Sequence, residues 1–97
     1  TVCVKDKAIV AVEALEGTDN TIKRAGAIAR RGFSVVKVSR PNQDMRFDIP
    51  VVGLRTISTM HKAGSRCLGI EAKKTLILDK DEVIRYADKK RIAVVAL

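Results

Sequence analysis

Phe33-Ser34-Val35-Val36-Lys37-Val38-Ser39-Arg40-Pro41-Asn42-Gln43-Asp44-Met45-Arg46-Phe47-Asp48-Ile49-Pro50 is the stretch on which the reading of this chain turns. Phe33 to Val38 is a nearly continuous apolar run, the pattern of a strand covered on both faces. The segment beyond it holds two prolines, and the residue before a proline is pushed toward extended geometry. Arg40 and Ile49 are therefore not helical. Between the prolines lie the carboxylates of Asp44 and Asp48, the guanidinium of Arg46 and the amide of Gln43, with Arg40 just ahead. A plain connection needs none of these. The stretch reads as a strand that exits into a long, partly rigid loop, which is where open α/β sheets bind their ligands.

Upstream, Thr1 to Lys5 alternates apolar and polar residues, Asp6-Lys7 is a two-residue turn and Ala8 to Leu15 is a second strand, together a β-hairpin. Thr18 or Asp19 then caps a helix that runs to about Arg31 and is closed by Gly32. Its apolar face is Ile22, Ala25, Ile28 and Ala29. Downstream, Leu54 to Ala63 has helical spacing, with Ile57, Met60 and His61 as inward positions and Gly64 as the stop. Arg66 to Ala72 and Thr75 to Leu78 read as strands around a turn at Lys73-Lys74. Asp79 and Glu82 have capping-box spacing for a third helix whose core face is Val83, Ile84 and Ala87. Ile92 to Leu97 is the last strand. The alternation predicts an α/β fold, with a mixed, mostly parallel sheet, an N-terminal β-hairpin and about three helices packed on it.

Bulk properties bound the function. Ninety-seven residues make one small domain, residues 1–97, with a single core. The start at Thr1, in what reads as mid-strand, suggests a piece of a longer protein. The longest uncharged apolar run, Ile92 to Leu97, is far short of the roughly 20 residues that span a bilayer. Cys3 and Cys67 are far apart and show no Cys-x-x-Cys spacing, so reduced thiols in the cytoplasm are expected. The net charge of +8 calls for an anionic partner.

Several chemistries are missing. His61 is the single histidine, so no Ser-His or Cys-His arrangement supports nucleophilic catalysis. No G-x-G-x-x-G or Walker sequence is present, and clustered Cys and His for zinc are lacking. Carboxylates remain. Glu13, Glu16 and Asp19 stand at a strand end and helix start, Asp44 and Asp48 in the central loop, and Glu71 near the end of a later strand. If the strands are parallel neighbours, several of these acids converge on one sheet edge. Hard oxygen ligands without His or Cys suit Mg²⁺ or Mn²⁺. Arg24, Lys37, Arg40 and Arg46 nearby suit phosphate, and the helix start at Gly17-Thr18-Asp19 offers backbone N–H groups to an anion. The plainer readings are a helix cap at Thr18 or Asp19 and surface ion pairs for the rest.

The run Ala11-Val12-Glu13-Ala14-Leu15-Glu16-Gly17-Thr18-Asp19, then Arg24, Val36-Lys37-Val38, Pro41, Gln43-Asp44, Arg46, Asp48 and Pro50 resembles one family, as do Gly53, Thr56-Ile57, Gly64, Glu71-Ala72 and Ala87-Asp88. These are the LpxI-type UDP-2,3-diacylglucosamine pyrophosphatases of lipid A biosynthesis. The resemblance covers essentially the whole chain and only the family's C-terminal, catalytic domain. It implies a hydrolase in which water attacks the α-phosphorus to give UMP and 2,3-diacylglucosamine 1-phosphate. It further implies a divalent cation, Mg²⁺ or Mn²⁺, a missing N-terminal domain, and a cytoplasmic location peripheral to the inner membrane, where the UDP-diacylglucosamine lipid is met. The family's Q-D-x-R-x-D maps onto Gln43, Asp44, Arg46 and Asp48. Asp44 is the expected essential carboxylate, as metal ligand or as the group that orients water, with Asp48 and Arg46 beside it in catalysis. Glu16, Asp19 and Asp44 are the expected metal residues. Lys37, Arg24, Gln43 and Thr18 are expected to bind substrate phosphate.

Two rivals stand beside this reading. One is a basic nucleic-acid-binding module. Phe33, Phe47 and Tyr86 are the only aromatics, a poor platform for base stacking, so no nucleic-acid partner is expected. The other is a non-catalytic α/β module that assembles as a homo-oligomer.

Overall fold

The computed structural model of the chain describes residues 1–39 and 49–97. In chain order the elements are β1 (Val2–Lys5), β2 (Ala8–Val12), α1 (Thr18–Ala29), β3 (Phe33–Lys37), β4 (Val51–Val52), α2 (Leu54–Ala63), β5 (Ser65–Ile70), β6 (Leu76–Ile77), α3 (Lys80–Lys89) and β7 (Ala93–Ala96). The expected hairpin forms, with Val2 opposite Val12 and Lys5 opposite Ala8. Its turn needs no glycine, because Asp6 and Lys7 both take positive φ, 51° and 67°. That is the combination whose twist suits a two-residue hairpin.

Five strands form the main sheet in the order β2-β1-β3-β5-β7. β1 is antiparallel to both neighbours, and β3, β5 and β7 are parallel. β2 therefore runs with the parallel set, and the C-terminal ends of β2, β3, β5 and β7 share one edge. The crossovers from β2 to β3, β3 to β5 and β5 to β7 all step the same way across the sheet. Right-handed crossovers then stack all three helices on one face, where α1 packs on α2 and α2 on α3.

The core lies between that helical layer and the sheet. Phe33, Ile22, Ile57, Met60, Leu68 and Val35 are fully buried in it. A row of partnered residues, Ala11, Cys3, Val35, Leu68 and Val94, crosses the sheet on the helix side. Cys3 is free and buried, and burial pushes its thiol up to about 11.

The α/β class, the hairpin and the mostly parallel sheet are as expected, and several details differ. β3 is not covered on both faces: Phe33 and Val35 are buried against the helices, while Ser34 and Val36 on the other face are only half-buried. α1 ends at Ala29, and Ile28 is 61% exposed. His61 is exposed rather than inward. Thr75 to Leu78 contributes only the two residues of β6. They pair parallel with β4 in a separate two-stranded sheet, Val51 opposite Leu76 and Val52 opposite Ile77. The capping box at α3 does not form, because Asp79 sits in the left-handed region at φ 51°, ψ 54°, with no side-chain cap bond. A capping side chain works from the extended region.

α1 and α2 approach closely at one glycine. A Cβ on Gly26 would lie 2.7 Å from the Ala63 carbonyl oxygen and 2.9 Å from the Ala63 Cβ. Gly53, extended at φ −141°, has nothing within 4 Å of an added Cβ. Urea unfolding is expected to show Gly26→Val losing about 1–3 kcal/mol through overpacking, while Gly53→Ala changes stability by less than about 1 kcal/mol.

Candidate active site

The segment Glu13 to Asp19 links the end of β2 to α1 across the C-terminal edge of the sheet, and each functional residue in it has a separate partner. The turn into the helix rests on Gly17, at φ 87°, ψ 165°. That conformation is essentially confined to glycine. Gly17 is the N-cap. The expected cap at Thr18 or Asp19 is therefore absent, and among the described residues no side chain accepts from the N–H groups of the first turn.

Thr18 uses its hydroxyl elsewhere. Lys37, the last residue of β3, donates from Nζ to Thr18 Oγ1 at 2.7 Å. Thr18 donates in turn to Glu13 Oε1 at 3.2 Å. The Thr1 hydroxyl is 3.2 Å from Thr18 Oγ1. A cation, a hydroxyl and a carboxylate from β3, α1 and the end of β2 thus share one half-buried cluster.

The neighbouring acids are already engaged. Both carboxylate oxygens of Glu16 accept from Arg24, through Nε at 3.3 Å and through NH2. That pairing holds the Glu16 carboxyl low. The same Arg24 NH2 donates to the Val12 carbonyl at 2.9 Å, which ties α1 to the end of β2. Asp19 Oδ2 lies 2.8 Å from Arg55 Nε in the first turn of α2. Glu71, just past β5, accepts from both the backbone N–H and the hydroxyl of Ser39, at 3.0 and 2.7 Å. Those bonds hold its carboxyl low and fix the residue with which β3 leaves the sheet.

The expected convergence of Glu13, Glu16, Asp19 and Glu71 on one edge is therefore seen, with Thr18, Arg24 and Lys37 among them. Gln43, Asp44, Arg46 and Asp48 lie outside the described residues. Thr1, Ser39 and Arg55 are the members that sequence reasoning missed. Arg55 did carry a signal: a lone cation in the first turn of a helix opposes the helix dipole and so calls for an acid nearby.

The residues present are a poor fit to a metal by themselves. Among the described residues no group of three His, Cys, Asp or Glu side chains is gathered as a metal would need. Both oxygens of Glu16 are held by Arg24 and one oxygen of Asp19 by Arg55. The arrangement is instead suited to an anion, with Lys37 and the uncapped start of α1 side by side.

Positive charge also gathers far from this site. Arg30, Arg31, Lys62, Arg66, Lys90 and Arg91 surround a depression at the opposite edge, where α1, α2 and α3 end. Cations at helix C-termini offset the dipole, which accounts for much of the net charge without a ligand.

Because the Glu16 and Glu71 carboxyls are held low in the fold, they bind fewer protons than in the unfolded chain near the ordinary carboxylate value of 4.5. Their contribution is complete above that value and is lost as pH falls through the lower, folded values. Urea midpoints measured from pH 7 to pH 3 are expected to fall on acidification, and to fall less steeply in Glu71→Gln.

The LpxI C-terminal domain family model matches residues 1–95. Among curated proteins the chain is 35% identical over 88 residues to the UDP-2,3-diacylglucosamine pyrophosphatase LpxI of Caulobacter vibrioides. The match takes in 82% of this chain and 31% of the relative, so the chain spans about a third of the relative's length.

Proposed function

The chain belongs to the family of LpxI C-terminal domains, and from that membership we propose that the full-length protein containing it is a UDP-2,3-diacylglucosamine pyrophosphatase. The observation that carries the reading is the meeting of Lys37 Nζ and Thr18 Oγ1, 2.7 Å apart, at the uncapped start of α1. It lies inside the Glu16-Gly17-Thr18-Asp19 motif and at the sheet edge where α/β folds take ligands.

In the proposed reaction a water oxygen bonds to the α-phosphorus and the bond from that phosphorus to the bridging oxygen breaks. UMP, which keeps the water oxygen, and 2,3-diacylglucosamine 1-phosphate, which keeps the bridging oxygen, result, and the water's proton passes to solvent. Lys37 and the first-turn N–H groups of α1 hold the pyrophosphate oxygens. Thr18 fixes the ammonium of Lys37 and is itself oriented by Glu13, so the positive charge is in place before charge develops on phosphorus. Preorganised charge of this kind is usually the largest single contribution to such a step. Arg24, bound on one side by Glu16, adds positive charge at the rim, and Arg46 and Gln43 are assigned to the same phosphates. Asp44 is the essential carboxylate, as metal ligand or as the group that orients the attacking water, with Asp48 beside it.

A divalent cation, Mg²⁺ or Mn²⁺, belongs to the proposal and would supply further charge neutralisation at the phosphates. Glu16 and Asp19 serve it only if Arg24 and Arg55 release them, so Asp44 is the first residue assigned to it. Cytoplasmic residence with peripheral contact at the inner membrane follows from the acylated substrate. No described helix is long and apolar enough to cross a membrane.

The test is UMP release from UDP-2,3-diacylglucosamine by the full-length protein. Asp44→Ala is expected to lower turnover by about 10²–10⁴-fold, and Lys37→Met by about 10²–10³-fold. Turnover unchanged by Asp44→Ala would remove that residue from the mechanism. Turnover unchanged by Lys37→Met would remove the Lys37–Thr18 cluster.

A further inference from the structure

The helix-free face of the main sheet differs from every other surface described. Cα partners across the strands place Val12, Val2, Val36, Gly69 and Val95 in one row. Partnered residues of adjacent strands point to the same side. The next row on that face runs Ile9, Val4, Ser34, Cys67 and Ala93. Leu97 lies over the first row, its Cδ1 3.2 Å from where a Cβ on Gly69 would sit.

None of these residues is charged, in a chain that is 31% charged. The lysine of β1, Lys5, turns to the other side and donates to the Ala29 carbonyl at 3.0 Å. Yet Ile9 is 69% exposed, Val12 52%, Val95 44% and Leu97 67%. A continuous apolar patch of this kind marks a surface that something covers.

Its size argues about the occupant. Five strands about 4.8 Å apart, each roughly four residues long at about 3.3 Å per residue, give a face on the order of 300 Å². A standard stable interface buries about 800 Å² per partner, so two free copies meeting through this face alone would hold poorly. A body tethered to the same chain meets the face at an effective concentration in the millimolar range and needs far less area. The chain spans 31% of its relative's length, so a full-length member of the family carries more than twice as much chain outside this region.

We propose that the helix-free face is an intramolecular docking surface, on which the remaining chain of the full-length protein lays an uncharged, apolar surface across Val12, Val2, Val36 and Val95. Beyond the geometry of the face it needs only the family membership, and it stands whether or not the pyrophosphatase reading survives.

The molecule carries its own reporters. Cys67 lies in the second row and is half-exposed in this chain, while Cys3 is buried on the helix side with its thiol raised to about 11. Cys3 therefore serves as an unreactive reference. The experiment is peptide-resolved alkylation by N-ethylmaleimide, at pH 7.5, of the full-length protein and of its Val12→Cys, Val95→Cys and Lys89→Cys variants. Lys89, exposed on α3, marks the rate of an open site. Cys67 needs no substitution, so the experiment survives if a variant folds poorly.

The expected result is alkylation of Cys67 and of the cysteines at 12 and 95 at least tenfold slower than at 89, at every protein concentration. Rates equal to that at 89 would overturn the proposal. So would protection that disappears on dilution to the monomer, which would assign the face to a second copy.

Discussion

Lys37 reaches Thr18 only because three separate features of the fold coincide. The parallel arrangement puts the end of β3 at the same edge as the end of β2 and the start of α1. Gly17 takes a conformation closed to other residues, so the chain turns into the helix without a side-chain cap. Thr18 is thereby left with a hydroxyl to share between Lys37 and Glu13. Remove any one of these and the ammonium loses the partner that holds it at this edge. The neighbours reinforce the same geometry: Arg24 ties α1 to the end of β2, Asp19 ties it to α2 through Arg55, and Glu71 fixes the exit of β3.

Much of this was legible in the sequence, and the misses have physical causes. Alternating strand and helix patterns identified the fold class, because periodicity follows from which side of each element is buried. The burial of β3 was overestimated because a run of valines reads the same whether its second face is covered within the chain or left open. The choice between cap and ligand at Thr18 could not be made from spacing, since both uses want a hydroxyl at a helix start. The cap falls to Gly17 instead, and the Thr18 hydroxyl meets Lys37, a residue 19 positions away. Asp79 failed as a capping residue for a similar reason, as its backbone torsion overrides its composition. Ile28 and Ile84 sit at core spacing on helices that are covered on one side only. The loop signature at Gln43, Asp44, Arg46 and Asp48 was the strongest motif of all and lies outside the described residues, so its part rests on family membership.

The net charge of +8 also takes on a different meaning in three dimensions. Among the described residues the C-terminal edge is close to balanced, with Glu13, Glu16, Asp19 and Glu71 opposite Lys37, Arg24, Arg55 and Lys74. The excess of cations gathers at the opposite edge, around Arg30, Arg66 and Arg91, where it offsets the negative ends of three helices. Total charge therefore points away from the edge that the proposal assigns to the ligand. What distinguishes that edge is the placement of one ammonium beside a helix start that no described side chain caps. An anion could in principle choose either edge, and that choice separates a structural account of the charge from a functional one.

The most direct measurement is backbone amide NMR of the full-length protein titrated with UMP, the nucleotide that the proposed reaction releases. The account expects the largest shifts at Gly17, Thr18, Asp19 and Lys37. Shifts concentrated instead at Arg30, Arg66 and Arg91, with the α1 start unmoved, would contradict it.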